Sequence, residues 1–222
     1  VTANSSAAAE TPLARKRRAR RINRELAAFF PDARSDLDFT NAFQLLIATV
    51  LSAQTTDVRV NQVTPALFAR YPDAHALAAA DRTELEEIIR PTGFFRAKTD
   101  SLLKLAAALV TDHDGEVPRT LEQLTALAGV GRKTANVVLG NIFDVPGITV
   151  DTHVGRVSRR LAWTDSKNPV QVERDIAELF EPQDWVMLSH RLIYLGRRVC
   201  HSRKPDCAGC PVARDCPSAF TF

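Results

Sequence analysis

Leu127-Ala-Gly-Val-Gly-Arg-Lys-Thr-Ala135 is the stretch on which the fold turns. Upstream, Thr120-Leu-Glu-Gln123 is a capping box of the Thr-x-x-Gln type, in which the two side chains satisfy orphan backbone donors at a helix start. Leu121, Leu124, Leu127 and Ala128 follow at helical spacing. Gly129-Val130-Gly131 is expected to end that helix, because glycine takes the positive φ of a tight turn without steric cost. A second helix is expected from Arg132. Its apolar residues Ala135, Val138, Leu139, Ile142 and Phe143 form one stripe. Lys133 lies about 200° from Ala135 around the helical wheel and so points away from that stripe.

A hairpin of this kind lets a nucleic-acid backbone approach the peptide N–H groups of Gly129, Val130 and Gly131. The helix start at Arg132 adds orphan donors and partial positive charge. Such a site reads phosphate and not base sequence. An ordinary glycine-containing helix–helix turn fits the three residues alone equally well. Lys133 by itself reads as a solvated surface lysine, since a catalytic lysine must be partly neutral at pH 7. A helix N-terminus disfavours the ammonium by only ~0.3–1 kcal/mol, less than the ~1.36 kcal/mol of one pKa unit. Any larger shift requires desolvation in a closed cleft. Asp151 lies eighteen residues after Lys133, in Gly147-Ile-Thr-Val-Asp-Thr-His153. It is placed to cap a helix from Thr152 carrying Val154, Val157, Ser158 and Leu161. A cap and a catalytic carboxylate are compatible roles.

Taken together, Gly129-Val-Gly-Arg-Lys-Thr-Ala-Asn136, Val150-Asp-Thr-His153, Leu51-Ser-Ala-Gln-Thr-Thr-Asp57 and the cysteines at 200, 207, 210 and 216 resemble the endonuclease III family of DNA glycosylase/AP lyases. The likeness runs from about Arg20 to Cys216, with its motifs in order. It implies that Lys133 is the nucleophile on C1′ of a damaged nucleotide and Asp151 the carboxylate that assists it. It implies that Gln54 fills the gap left by a flipped base, and that Phe94, in Thr92-Gly-Phe-Phe-Arg96, is a wedge where many members have leucine. His153 joins Gly129, Val130, Gly131 and Arg132 as an expected DNA contact. Without the resemblance, Gln54 reads as the end of the apolar helix Phe43–Leu51, and Phe94 as a core residue. Ala128 departs from the family, which often has proline there, and this bears on helix termination more than on chemistry.

The four cysteines are spaced C-x6-C-x2-C-x5-C. Cys207-Ala-Gly-Cys210 is tight enough for two ligands of one metal centre. Four thiolates suit zinc or an iron–sulfur cluster equally on ligand count. The resemblance implies a [4Fe-4S] cluster. A disulfide framework is not expected in a chain of this length without an apolar signal segment, and a reducing cytoplasm fits. Arg203 and Lys204 fall in the loop between Cys200 and Cys207, beside Arg197 and Arg198, and are candidates for phosphate contact.

The 222 residues are 45% hydrophobic and 25% charged, with a formal net charge of only +3. No run is apolar enough to span a membrane. Positive charge is concentrated instead, in Arg15-Lys-Arg-Arg18 and Arg20-Arg21. Residues 1–14 are expected to be a disordered tail. Arg15 to Phe30 reads as a basic amphipathic helix with Ile22, Leu26, Phe29 and Phe30 on one side. Thr83-x-x-Glu86 reads as a capping box, and Asn168-Pro169 as an N-cap followed by proline at N1. Long helical periods run over Phe95–Val110, Val170–Phe180 and Trp185–Val199, with no strand alternation. The fold is therefore expected to be all-α. By resemblance it is a two-lobed helix-hairpin-helix glycosylase with the active cleft between its lobes: a helical barrel over 35–145, and a cluster-bearing domain from 15–34 plus 146–222.

The expected activity is a bifunctional DNA glycosylase/AP lyase that removes oxidised pyrimidines from duplex DNA and cuts the strand by β-elimination. Its partner is double-stranded DNA with damaged bases or abasic sites. A monomer in the cytoplasm, associated with the nucleoid and not with a membrane, is expected. One rival is a monofunctional adenine or mismatch glycosylase of the same superfamily, against which Lys133 and the absence of a long extension after Cys216 both argue. The other is a non-catalytic zinc and hairpin DNA-binding protein, against which Lys133 together with Asp151 argues.

Overall fold

A computed structural model describes residues 10–222 of the protein. Among these residues every regular element is helical and no strand forms. The chain divides into two units. One joins Val1–Arg34, described from Glu10 onward, to Val150–Phe222, and the other is Ser35–Thr149.

The first unit opens with α1 (Pro12–Phe29). Thr11 caps it by accepting the Ala14 N–H at 3.2 Å, and Pro12, which has no N–H to leave unpaired, stands at the helix start. The tail expected through residue 14 is thus corrected: residues 12–14 are already helical. The rest of that expectation, residues 1–9, lies outside the described residues. The basic run is bound into its own unit. Arg18 is buried, pairs with Glu10 at 2.8 Å and donates to the carbonyls of Leu161 (2.8 Å) and Asp215 (3.2 Å). Arg15 donates to the Trp163 carbonyl. Ile22, Leu26 and Phe30 are buried, whereas Phe29 is turned outward.

In Ser35–Thr149 the helices are α2 (Ala42–Leu51), α3 (Asp57–Arg70), α4 (Ala74–Ala78), α5 (Arg82–Ile89), α6 (Phe95–Asp112), α7 (Leu121–Ala126) and α8 (Arg132–Ile142). Side chains of Asn41, Thr56, Asp73, Asp81 and Thr120 each accept a first-turn N–H, which explains where five of them begin. The box expected at Thr83 is replaced by Asp81, whose carboxylate takes the Glu84 N–H at 2.9 Å. The aspartate starts the helix two residues earlier, and Thr83 falls inside the first turn. From Leu45 to Leu51 α2 is buried on every side, so it runs through the middle of the unit. Leu45, Leu46 and Ile47 share one core with Leu102, Leu105 and Leu109 of α6 and with Ala135, Val138 and Leu139 of α8. Each fully buried leucine there contributes about 1.5–3 kcal/mol of transfer free energy.

The first unit resumes with α9 (Thr152–Arg160), α10 (Pro169–Ala177) and α11 (Trp185–Arg198). Asn168 caps α10 by accepting the Val170 N–H at 2.9 Å, with Pro169 first in the helix. Trp163 is fully buried and meets Phe180 edge-on at 5.1 Å. Gly196 lets α11 approach α9 closely: a Cβ there would lie 2.8 Å from the His153 Cβ. Beyond α11 the chain winds without an α-helix through all four cysteines.

Candidate functional site

The hairpin lies at the start of α8. The preceding helix α7 ends at Ala126, ahead of the glycines that were expected to stop it, and Leu127 is its cap residue. Gly129 takes φ +77°, and Val130 is buried with its N–H on the Leu127 carbonyl at 3.2 Å. Gly131 is the N-cap residue of α8 and is extended, so it offers no side-chain acceptor to the first-turn N–H groups. A helix start of that form suits an anion. Arg132 and Lys133 are both exposed on this first turn. Behind them Asn136 is buried and donates to the Ile148 carbonyl at 3.0 Å, which fastens the extended segment after α8.

Gln54 and Phe94 both belong to this unit. The apolar helix ends at Leu51, so Gln54 stands in the turn beyond it and is not a helix-end residue. It has φ +56° and is exposed. Phe94 has φ +49° and is 65% exposed, the reverse of a core residue. Left-handed backbone costs a residue with a Cβ roughly 1–2 kcal/mol, and such strain collects where function demands it. Between the two loops lies a residue that sequence reasoning missed. Lys98 is 6% exposed, and its ammonium donates to the carbonyls of Leu51 and Thr92, each at 2.8 Å. Burial pushes its pKa below the ordinary lysine value. The signal was present in the sequence, because Lys98 continues the apolar stripe of Leu102, Leu105, Ala106 and Leu109 on α6.

In the other unit Asp151 caps α9, its Oδ1 accepting the Val154 N–H at 2.8 Å. It is half-buried. His153 packs against Gly196, and its Nδ1 lies 3.2 Å from Arg156 Nη2. Burial pulls the His153 pKa below the ordinary value, opposed by the Asp151 charge and a backbone hydrogen bond to Gly196. The structure thus sets His153 into the α9–α11 contact.

Cys200, Cys207, Cys210 and Cys216 are free thiols of intermediate exposure. Burial, with the other three cysteines adding to it, pushes the Cys210 thiol up to about 11, and burial likewise raises Cys216. The four are therefore electrostatic neighbours. Among the described residues, however, no three His, Cys, Asp or Glu side chains converge closely enough to hold a single metal ion. Two arginines missed in the sequence bind this loop. Arg156 donates to the carbonyls of Gly196 (2.8 Å) and Cys200 (3.1 Å). Arg160 donates to Cys200 Sγ (3.1 Å), to the His201 carbonyl (2.7 Å) and to the Ser202 carbonyl (3.1 Å), and lies 4.1 Å from the centre of the Phe222 ring. Arg156 and Arg160 share one face of α9 at a spacing of four, which is the trace they leave in the sequence. Arg203 and Lys204 are exposed, and Lys204 has φ +50°.

The family model of HhH-GPD superfamily base excision DNA repair proteins matches residues 47–182. Endonuclease III of Synechocystis sp. is 51% identical over 206 residues, 92% of this chain and 94% of that protein. A solved non-covalent endonuclease III–DNA complex superposes with a TM-score of 0.89 at 42% identity, over 93% of this chain and 97% of the other. A trapped covalent endonuclease III–DNA intermediate, an estranged-adenine complex, matches with the same figures. The chain belongs to the endonuclease III family, within the HhH-GPD superfamily. Among the described residues no helix is long and apolar enough to cross a membrane.

Proposed function

We infer that this protein is a DNA glycosylase and AP lyase of base excision repair, and that it acts on oxidised pyrimidines in duplex DNA. The observation that carries the reading is an exposed lysine on the first turn of a helix whose glycine N-cap offers its own N–H groups no side-chain partner. A phosphate held by those groups brings the sugar of an extruded nucleotide within reach of that lysine. A relative sharing 42% of its sequence with this chain forms a trapped covalent intermediate with DNA, as attack by such an amine requires.

The chemistry balances as follows. The Lys133 amine attacks C1′, the C1′–N glycosidic bond breaks, and the departing base takes up a proton. Ring opening leaves a protonated Schiff base between Lys133 and C1′, which acidifies the C2′ proton. Loss of that proton expels the 3′ phosphate and cuts the strand, and water then releases the lysine. Asp151 supports the positive charge that develops at C1′. Its capping bond occupies Oδ1, so capping leaves the second carboxylate oxygen to that role. Gln54 and Phe94 enter the duplex at the vacated position, and Gly129 to Arg132, His153, Arg203 and Lys204 hold the backbone. Lys133 separates this reading from a monofunctional glycosylase.

Cys200, Cys207, Cys210 and Cys216 hold a [4Fe-4S] cluster. The donor set fits: the four cysteines are half-buried in one short segment, and burial raises the pKa of Cys210 and Cys216, a cost that a bound cationic centre would offset. When bound, the cluster supplies a rigid cross-link for a loop that has little apolar core. Action on chromosomal DNA places the protein with the nucleoid, in the cytoplasm.

Borohydride reduction in the presence of duplexes carrying one defined lesion tests the reading. The wild-type protein is expected to form a covalent adduct and Lys133→Ala none, a loss of about a thousandfold or more, while DNA binding persists. An undiminished adduct in Lys133→Ala would assign the nucleophile elsewhere.

A further inference from the structure

Lys98 stands where a leucine would be expected. It is on the buried stripe of α6, and a buried ammonium without partners is far more costly than the methylenes it replaces. Its partners identify what it does. Leu51 is the last residue of α2, and Thr92 is the last residue of the 3-10 turn Arg90–Thr92. Both carbonyls therefore lie at helix C-termini, where backbone oxygens are orphaned and the helix end is negative. One ammonium closes both ends and ties together two loops forty-one residues apart in sequence. Gln54 follows Leu51 by three residues and Phe94 follows Thr92 by two, and both have left-handed backbone. One turn further along α6, Ser101 seats the hairpin: a Cβ at Gly129 would lie 3.0 Å from the Ser101 Cβ. The first two turns of α6 thus meet the hairpin and both exposed loops.

We propose that Lys98 is a positioning residue for base extrusion, which sets the spacing of the Gln54 and Phe94 loops so that both side chains enter the duplex at one nucleotide. This rests on the reading of Gln54 and Phe94 as inserting residues. The strained turns are then held by a bond that neither loop supplies for itself. The lysine acts through them and touches neither the DNA nor the reacting atoms.

The test uses the full-length, cluster-loaded protein and Lys98→Met, which keeps the volume and removes both donors. Three quantities are measured: affinity for undamaged duplex, single-turnover cleavage of an abasic duplex, and fluorescence of a 2-aminopurine opposite a reduced abasic site. The fluorescence reports unstacking of the base that faces the gap. Affinity for undamaged duplex is expected to stay within about twofold, because phosphate contacts supply it. The fluorescence rise is expected to be lost, and cleavage to slow by roughly ten- to a hundredfold, the range set by ångström-scale misplacement. In a Gln54→Ala/Phe94→Ala background, Lys98→Met should add little further loss. If that background itself cleaves and unstacks like the wild type, the insertion reading falls and the proposal with it. If the background is impaired but Lys98→Met alone is not, or if its loss multiplies undiminished with theirs, the proposal alone falls. Should Lys98→Met fail to fold, Lys98→Gln serves, since its shorter amide reaches only one of the two carbonyls. Wild-type fluorescence and cleavage in that variant would equally overturn the proposal.

Discussion

In Ser35–Thr149 the exposed side chains of Gln54, Phe94 and Lys133 stand on an apolar core shared by α2, α6 and α8. In residues 199–222 the only buried apolar side chains are Val199 and Val212. There the chain is held by guanidinium groups instead: Arg156 and Arg160 from α9, and Arg18 and Arg21 from α1, the last on Asp215 at 2.7 Å. The difference follows from what each region can bury. Twenty-odd residues of loop cannot bury enough surface to offset their ordering entropy. Charged hydrogen bonds to backbone carbonyls take the place of a core, and the proposed cluster would add a cross-link. Both regions carry left-handed residues, Gln54 and Phe94 in the hairpin unit and Lys204 and Phe220 in the cysteine loop, but only the hairpin unit sets them on a large core.

If that contrast is right, chemistry and structure separate differently in the two units. Asp151→Asn should lower single-turnover base release by about a hundredfold or more, in the range of lost acid–base or electrostatic assistance. It should leave thermal unfolding nearly unchanged, because asparagine caps helices as well as aspartate does. Wild-type turnover would reduce Asp151 to a cap.

A sharper break is expected at the cysteines. Cys207→Ser should abolish the brown visible absorption expected of the proposed cluster and lower the yield of soluble protein several-fold. Hydrogen exchange should show protection lost first over residues 199–222, with the α2 and α6 core protected longest. A colourless variant with wild-type protection and activity would contradict a loop held by its metal centre.

A smaller effect is expected from the exposed residues of the same loop. Arg203→Ala with Lys204→Ala removes up to two phosphate contacts, each contributing ~0.9 to the slope of log K against log salt. Binding should weaken equally on damaged and undamaged duplexes, with a slope shallower by up to about 1.8. An unchanged slope would leave the loop as a wrapping for the cysteines alone.

The smallest effect concerns His153, which burial holds below its ordinary pKa of 6.5. The folded protein therefore resists protonating it more than the unfolded chain does. Its contribution to stability is fully present above about pH 6.5 and is lost as pH falls through the lower, folded value. Asp151, Arg156 and Arg197 are the charges around it. Urea titrations of the wild type and His153→Gln should converge on acidification and differ most above pH 7. A constant difference across that range would show that the ring is not buried as a neutral group.

Helix starts such as Thr120, Asn168 and Asp151 were legible because a cap acts within three residues of itself. Asp81 shows the limit, since two neighbouring residues could each begin α5 and local pattern did not choose between them. Gln54, expected at a helix end, and Phe94, a core residue on composition alone, were misread without the resemblance because φ is not written in a side chain's hydrophobicity. Lys98 and Arg160 left only a trace in helical spacing, and what they bind was not legible, because their partners lie 47 and 41 residues away, at Leu51 and His201.

Resemblance marked Lys133 and Asp151 as candidates, while the sequence by itself determined the helical class, the hairpin and the four-thiol set. Each depends on periodicity, on glycine, or on spacing along the chain, and these are local quantities. The tertiary structure alone decided which charges are buried and what they grip. Lys98 became a clamp, Arg18 a staple and Arg160 the anchor of Cys200 only when distant carbonyls and a thiol were brought to them. A charged side chain is written the same way whether water or a helix end surrounds it, and only folding settles which.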